Sequence, residues 1–426
     1  MNKKLIVIMF NELDFKLLEK YCSILPGRFK NFEALFRLPK RQTENHYVKN
    51  NEIEPWIVWP SFFNGKSYKK HKIFRLNEFF LSKYKNISEI LESQNIKVGS
   101  ICAMNIPNRL VNPDYFISDM WITTKPDKNH LIHSIQKALS QGVMNNESFK
   151  LSLSSIFYIL VGLLISLRVR NILTYLSLSI ESIKDRYIRA LWLDYYINNL
   201  HYYLFNKKKT NFSTVFFNAG AHIQHHNYNN SIIYNKYYNA NSKDYFPKLL
   251  KVYDKILGDY MHNKSFEFIV LNGLMQKQES QGVYYYRLKD PNVFFDLIGL
   301  DSSEIQPRMS RDLTVNFASA RKVKVALSTL RSIKINDEDV FGDFAVHENK
   351  IHLSITYNKE IKNKNKVKVG NLNLEALNVL KLIAIKNGSH IPSGTAYFSQ
   401  RFSLLLPKRK IFITEFFNLV IKFFKT

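Results

Sequence analysis

The feature that most constrains this chain is a repeated alternation of short apolar runs with helix-like stretches. Residues 4–10 form an apolar run that reads as a buried strand. Ile87 to Gln94 reads as a short helix opened by Asn86 or Ser88, and Lys97 to Cys102 as the strand that follows it. Ser213 to Phe217 is a third strand, and a helix through Leu249 to Met261 leads into a fourth, Phe266 to Leu271. Parallel neighbours need a crossover, and helices supply it, so this order predicts an α/β fold: a doubly wound, mostly parallel sheet with helices on both faces. With 426 residues, 46% of them hydrophobic, the chain can bury the core of one large domain over 1–426. Two stretches depart from the alternation. Residues 140–205 read as a helical insertion and 306–366 as a small β-rich one, in which Lys350 to Tyr357 alternates well. In doubly wound sheets ligands collect at the carboxyl ends of strands, so chemistry is sought just after each one.

Charge narrows the partners. Lys and Arg number 61 against 35 Asp and Glu, a formal net charge of +26, which favours an anionic small molecule or glycan phosphate ester, or an anionic membrane surface. The basic residues are spread along the chain with no basic arm, and it is rich in Lys, Asn, Ile, Phe and Tyr throughout; nucleic acid is not expected. Two cysteines, Cys22 and Cys102, make neither a disulfide framework nor a zinc knuckle. They suit a reducing, cytoplasmic setting. The apolar part of Met1 to Phe10 is too short for a signal peptide, and it runs into Asn-Glu-Leu-Asp without a small-residue cleavage site.

Two segments bear on membranes. Residues 151–167 carry no charge and lie between Lys150 and Arg168. That length is at the lower edge of a bilayer span, about 17–25 residues, so a transmembrane or monotopic reading stands beside an apolar helix buried in the helical insertion against residues 180–204. Burial is the expectation. Lys408-Arg409-Lys410 and the apolar stretch Ile411 to Lys425 suit either a membrane-surface helix or a closing helix packed on the sheet, and packing is expected.

The strand ends hold the candidate site. Asn11-Glu12-Leu13-Asp14 follows the first strand; Asn11 offers a neutral oxygen and Glu12 a charged one to a divalent ion, or Asn11 caps and Glu12 is solvated. Between Glu54 and Gly65, Ser61 is the one hydroxyl, a candidate nucleophile or a packing residue, and His71 lies beyond it. Asn218-Ala219-Gly220-Ala221-His222-Ile223-Gln224-His225-His226 packs three histidines into five positions after the third strand. Asn272-Gly273 follows the fourth strand. Gly388-Ser389-His390-Ile391-Pro392-Ser393-Gly394 sets one imidazole in a Gly- and Pro-bounded turn after a helix-like stretch, Leu374 to Lys386.

Together these segments resemble the alkaline phosphatase superfamily, its type I phosphodiesterase/nucleotide pyrophosphatase-like branch especially. The last is similar to the family's G-x-H-x-P-x-G turn. Asn218 and His222 take the places of D-x-x-x-H, and Asn272-Gly273 those of the Asp and His in S-D-H-G. Tyr253-Asp254-Lys255-Ile256-Leu257-Gly258 looks like the helix before that strand. Residues 54–74 resemble the nucleophile segment, yet counting back from Gly65 lands on Pro55. The resemblance implies metal ligands among His222, His390, Asn218, Asn11, Glu12 and Asn272, a catalytic Ser61, and substrate contacts from His71, His225 and His226. Asn in place of Asp weakens cation affinity, so one divalent ion, zinc or manganese, is implied rather than two. The implied activity is hydrolysis or transfer of a phosphate or sulfate ester, in surface-polysaccharide metabolism by family association. Two alternatives stand beside it: a catalytically inactive binding or scaffold protein, and a membrane-associated phospho-group transferase.

Overall fold

The computed structural model describes residues 3–46, 53–144, 151–234, 242–307 and 311–426. Lys150 and the Arg308-Met309-Ser310 portion of the β-rich segment lie outside the described residues. The chain divides into two compact units: Met1–Gln278 with Gly388–Thr426, and Glu279–Asn387.

The first unit is built on an eight-stranded sheet. In chain order its strands are β1 (Leu5–Phe10), β2 (Lys40–Glu44), β3 (Val98–Ile101), β4 (Tyr115–Ile117), β5 (Phe212–Phe217), β6 (Glu267–Leu271), β7 (Ser393–Phe398) and β8 (Ile411–Phe412). Across the sheet they run β8-β2-β7-β6-β1-β5-β3-β4. β1 lies parallel between β5 and β6, β3 is parallel to β4 and β5, and β8 to β2. Only β7 runs against its neighbours β2 and β6. Every residue of β1 and of β5 is buried. Successive side chains point to opposite faces, so both faces of the central sheet are covered, and β1 reads as a continuous apolar run for that reason. The fold is α/β with a mostly parallel sheet, as the alternation predicts.

Nine helices of this unit matter below: α1 (Phe15–Ile24), α2 (Pro55–Asn64), α3 (His130–Met144), α4 (Leu153–Ser166), α5 (Ile172–Ser182), α6 (Arg186–Lys208), α7 (Ala219–Asn227), α8 (Phe246–Met261) and α9 (Phe416–Lys425). The closing helix α9 packs as expected, burying Phe416, Val420 and Phe423 on α2 and on the helix Ile87–Glu92. Among the described residues no helix is long and apolar enough to cross a membrane. The 14 residues of α4 extend about 21 Å against about 30 Å of bilayer hydrocarbon, which corrects the transmembrane reading of 151–167. The buried reading needs correction too. α4 rests on α3 and α6 with one face, while Leu153, Phe157 and Leu164 are exposed on the other.

The second unit has its own apolar core, including Val315, Leu330, Ile335, Ile351 and Val367. Two four-stranded antiparallel sheets surround it, one made of Glu338–Asp339, Lys334–Ile335, Lys366–Val369 and Leu372–Glu375, the other of Phe341–His347, Lys350–Ile355, Asp312–Asn316 and Glu304–Pro307. The helix expected over 374–386 is absent. Ala376–Val379 makes a single turn, and Leu380–Ile391 is a strand paired with Met275–Leu288. That pairing joins segments about a hundred residues apart, which local apolar spacing does not reveal.

Candidate metal centre

Three strand ends and one strand beginning meet at the rim of the main sheet. β1, β5 and β6 end at Phe10, Phe217 and Leu271, so Asn11-Glu12, Asn218 and Asn272 follow side by side. Because β7 is antiparallel to β6, its beginning lies at this same rim, and His390 sits three residues before it. Gly394 is needed for the approach: a Cβ there would lie 2.5 Å from Asn272 Oδ1 and 2.6 Å from Thr43 Oγ1.

Glu12 leaves β1 in a left-handed conformation, φ 57°, a strain of about 1–3 kcal/mol for a residue with a side chain. Its backbone is clamped. Its N–H donates to Asn272 O (3.1 Å), its carbonyl accepts from Gln224 Nε2 (2.8 Å), and the preceding Asn11 N–H donates to Phe217 O (2.9 Å). The carboxylate is thereby aimed at two imidazoles. Its Oε2 lies 2.9 Å from His225 Nε2 and 2.8 Å from His390 Nε2, and the two Nε2 atoms are 3.3 Å apart. Gln276 Nε2 donates to the same oxygen (2.5 Å), and Asn11 Nδ2 to the other (2.9 Å).

Each imidazole is oriented from behind. His390 Nδ1 faces Ile53 O at 2.9 Å, with Glu54 Oε2 at 3.3 Å, and His225 Nδ1 faces Gly388 O at 3.2 Å. A carbonyl only accepts, so Nδ1 carries the hydrogen in both rings and Nε2 turns a lone pair toward Glu12. Two lone pairs and a carboxylate oxygen in so small a space repel one another unless a cation lies among them. In the ion-free protein a proton serves: burial opposes charging His390, but Glu12 and Glu54 outweigh it and hold the imidazolium well above its ordinary pKa. Burial likewise pushes Glu12 up, and the two histidines overcome it and hold the carboxylate well below the usual range. A divalent metal fits the same place. With Zn–N and Zn–O bonds of about 2.0–2.2 Å, tetrahedral donors stand about 3.3 Å apart, close to the 2.8, 2.9 and 3.3 Å found here. Glu12, His225 and His390 are the one group of three or more such side chains that could hold a metal ion among the described residues. The side chains are 4%, 12% and 15% exposed, the carboxylate at the floor and the rings at the rim.

The other residues that the sequence points to are placed differently. His222, chosen by the D-x-x-x-H spacing, is exposed on α7 and is not one of the three; His225, one turn further, takes that place. Asn11, Asn218 and Asn272 are tied up among themselves and the backbone. Asn11 Oδ1 accepts from Trp59 Nε1 (2.8 Å), Asn11 Nδ2 also donates to Asn218 Oδ1 (2.8 Å), and Asn272 bridges Leu13 O and the Thr395 N–H. Gly273 has φ 73°, and a Cβ on it would lie 2.8 Å from the Trp59 ring. The indole therefore fills the space beside Asn11 and Gly273. Ser61 is buried seven residues into α2, not at its N-terminus; it donates to Ile57 O and lies 2.9 Å from His71 Nε2. His71 Nδ1 accepts from the Ile73 N–H (2.9 Å), so His71 gives its hydrogen to Ser61, and burial lowers its pKa to about 4. His226 is half-buried beside the Tyr187 ring.

Sequence reasoning missed the supporting residues. Asp194 on α6 accepts from the Ala219 and Asn218 N–H groups (2.8 and 3.2 Å) and the Tyr253 hydroxyl (2.6 Å), capping α7 from below. Burial lifts its pKa to about 6. Glu54, Gln224, Gln276 and Trp59 were also unmarked. For Glu54 a signal exists: an acid next to a helix-opening proline, Pro55.

No family model matches this chain, and no curated protein does. Several solved structures are similar to it. Phosphonoacetate hydrolase from Sinorhizobium meliloti 1021, in complex with phosphonoacetate, matches with a TM-score of 0.45 and 9% identity over 99% of this chain and 95% of that one. Human ectonucleotide pyrophosphatase/phosphodiesterase 5 matches with 0.43 and 8% over the same shares. The inactive murine form in complex with AMP gives 0.41 and 10%, again over 99% and 95%.

Proposed function

We propose that this chain is a phosphoric ester hydrolase or transferase that works with one divalent cation held by Glu12, His225 and His390. The observation that carries the reading is the three-donor cluster itself, two imidazole nitrogens and a carboxylate oxygen within reach of one ion. Such a set, with three protein ligands and a free position, is the arrangement of catalytic rather than structural zinc. One oxygen and two imidazole nitrogens suit zinc, with manganese the other fit. When bound, the cation would supply Lewis-acid polarisation of a phosphoryl oxygen and a more acidic water.

The chain's own residues do the rest. Glu12 supplies the charge that a neutral Asn11 does not. Ile53 O and Glu54 orient His390, and Gly388 O orients His225. The N-terminus of α2 begins at Pro55, next to the residues that hold His390, and the positive end of its dipole favours an anion there. The formal charge of +26 concentrates anionic substrates around the molecule. Ser61 has no part in this reading, since its hydroxyl is committed to Ile57 O and its lone pair to His71. A phosphate or sulfate ester of a small molecule or surface glycan is the substrate class, and the two free, buried cysteines support a cytoplasmic setting.

The test is hydrolysis of a chromogenic phosphodiester by metal-loaded and chelated protein. Turnover should require the metal and vanish in His390→Ala with folding intact; unchanged turnover in that variant rules the reading out. One observation favours a second reading, a cation-binding protein without turnover: Trp59 fills the space beside Gly273, and no hydroxyl opens α2. Stoichiometric metal without hydrolysis of any phosphate or sulfate ester would select it.

A further inference from the structure

Of the large hydrophobic side chains exposed among the described residues, eleven of twenty-three fall between Leu153 and Ile183. They are not scattered. On α4, Leu153, Phe157, Leu160 and Leu164 recur at three- and four-residue spacing, which places them on one face. On α5, Leu173, Leu176 and Ile180 do the same. The opposite faces of both helices rest on α6, so the apolar stripes look outward. The connection between the two is fixed. Arg168 donates two hydrogen bonds to the Asp259 carboxylate of α8 (2.9 and 2.5 Å), and Arg170 donates a third (2.6 Å), so the hairpin cannot fold its apolar face inward without breaking a largely buried ion pair. Val169, in that connection, is 87% exposed. Two apolar stripes left uncovered on helices joined by so short a connection are rarely without a use.

What lies beside the stripe selects the occupant. A depression between α5 and α8 is lined by Leu173, Thr174 and Ser177 on one side and by Lys248, Lys251 and Lys255 on the other. Glu181 pairs with Lys248, while Lys251 and Lys255 are exposed. Burial and then the neighbouring Lys251 and Lys248 lower the pKa of Lys255, as expected where cations crowd. Apolar side chains next to a cluster of ammonium groups match a surface that offers hydrocarbon at one depth and phosphate at another. A second copy of this chain would bring its own lysines to the same place.

We infer that the outer face of the α4–α5 hairpin, with the lysines of α8, is a docking surface for an anionic phospholipid bilayer, on which the protein lies without crossing. This does not rest on the reading of the metal centre. α4 is too short to span, as shown above, but residues such as Leu164 and Leu173 can enter the boundary between headgroups and acyl chains.

The test is flotation of the full chain with vesicles of phosphatidylcholine alone and of phosphatidylcholine with phosphatidylglycerol. The protein should float with the mixed vesicles. Leu164→Glu with Leu173→Glu should lower partitioning about ten-fold or more at an unchanged melting temperature, since both positions are exposed. Lys251→Gln with Lys255→Gln should weaken binding to the mixed vesicles about five-fold per lysine and leave the neutral vesicles unaffected. The inference is overturned if the unaltered protein stays below the mixed vesicles, or if the leucine variant floats as well as its parent. A concentration-dependent dimer that L164E/L173E breaks, without flotation of the parent, also overturns it and assigns the face to a second copy.

Discussion

His225 and His390 approach to 3.3 Å between their Nε2 atoms, and the Glu12 carboxylate lies beneath both. Each ring is held by its other nitrogen against a backbone carbonyl, Gly388 O and Ile53 O. The lone pairs are thus turned inward by the main chain. Without a cation the cluster keeps a proton, and with one it loses that proton, so metal binding should release acid.

The first prediction follows from this exchange. Zinc at about a hundred times its dissociation constant should stabilise the protein by about 2.7 kcal/mol, read as a rise in melting temperature. His390→Ala and His225→Ala should abolish the rise, and His222→Ala should keep it. A shift that depends on His222 instead would place the ion elsewhere.

Trp59 and Gly273 support a second prediction. Gly273 is left-handed and its missing side chain would strike the indole, so Gly273→Ala meets both a conformational and a steric penalty. It should destabilise the first unit by about 2–4 kcal/mol, measured by chemical unfolding. A neutral outcome would mean that the indole can retreat and that the space beside Asn11 is open to a second ion.

A third concerns a residue that touches no proposed ligand. Asp194 accepts three hydrogen bonds at the start of α7, the helix that carries His225. Asp194→Ala leaves two backbone donors and the Tyr253 hydroxyl buried without that partner, a cost of about 3 kcal/mol. Because α7 loses its anchor, zinc affinity measured by calorimetry should fall at least several-fold in the folded variant. Unchanged affinity would show that Gly388 alone positions His225.

The sheet was legible because its central strands are buried on both faces, which writes β1 and Phe268–Leu271 of β6 into the sequence as unbroken apolar runs ending in polar residues, and β5 as a largely apolar one. His390 was legible from the glycines and proline around it, and Glu12 from its place after β1. The partner histidine was not. Spacing from Asn218 points to His222, but the strand that delivers His390 passes close to Gln224, where a Cβ on Gly388 would lie 3.0 Å from the Gln224 carbonyl, and so meets α7 one turn later. Leu374 to Lys386 reads as helix-like because the partner of the strand Leu380–Ile391, Met275–Leu288, is remote in sequence. Trp59 is core, and its indole fills the space beside Asn11 and Gly273, which no local pattern announces.

His71 allows a prediction with a definite sign. Its Nδ1 accepts from Ile73 and its Nε2 donates to Ser61, so only the neutral ring fits, and burial holds its pKa at about 4 against 6.5 for the free side chain. Between those values the unfolded chain binds the proton and the folded chain does not, so stability from this group is complete above pH 6.5 and is lost as the pH falls toward 4. The slope approaches about 1.4 kcal/mol per pH unit, up to about 3 kcal/mol in all. Asp119 and Asp194, both raised to about 6 by burial, work in the opposite direction over the same range, so a difference between variants is the clean measurement. His71→Gln keeps one acceptor and one donor without the titration. Its melting temperature, lower than that of the unaltered protein at pH 7.5, should draw level or pass it by pH 5; a gap that stays constant would show that His71 is protonated in the fold.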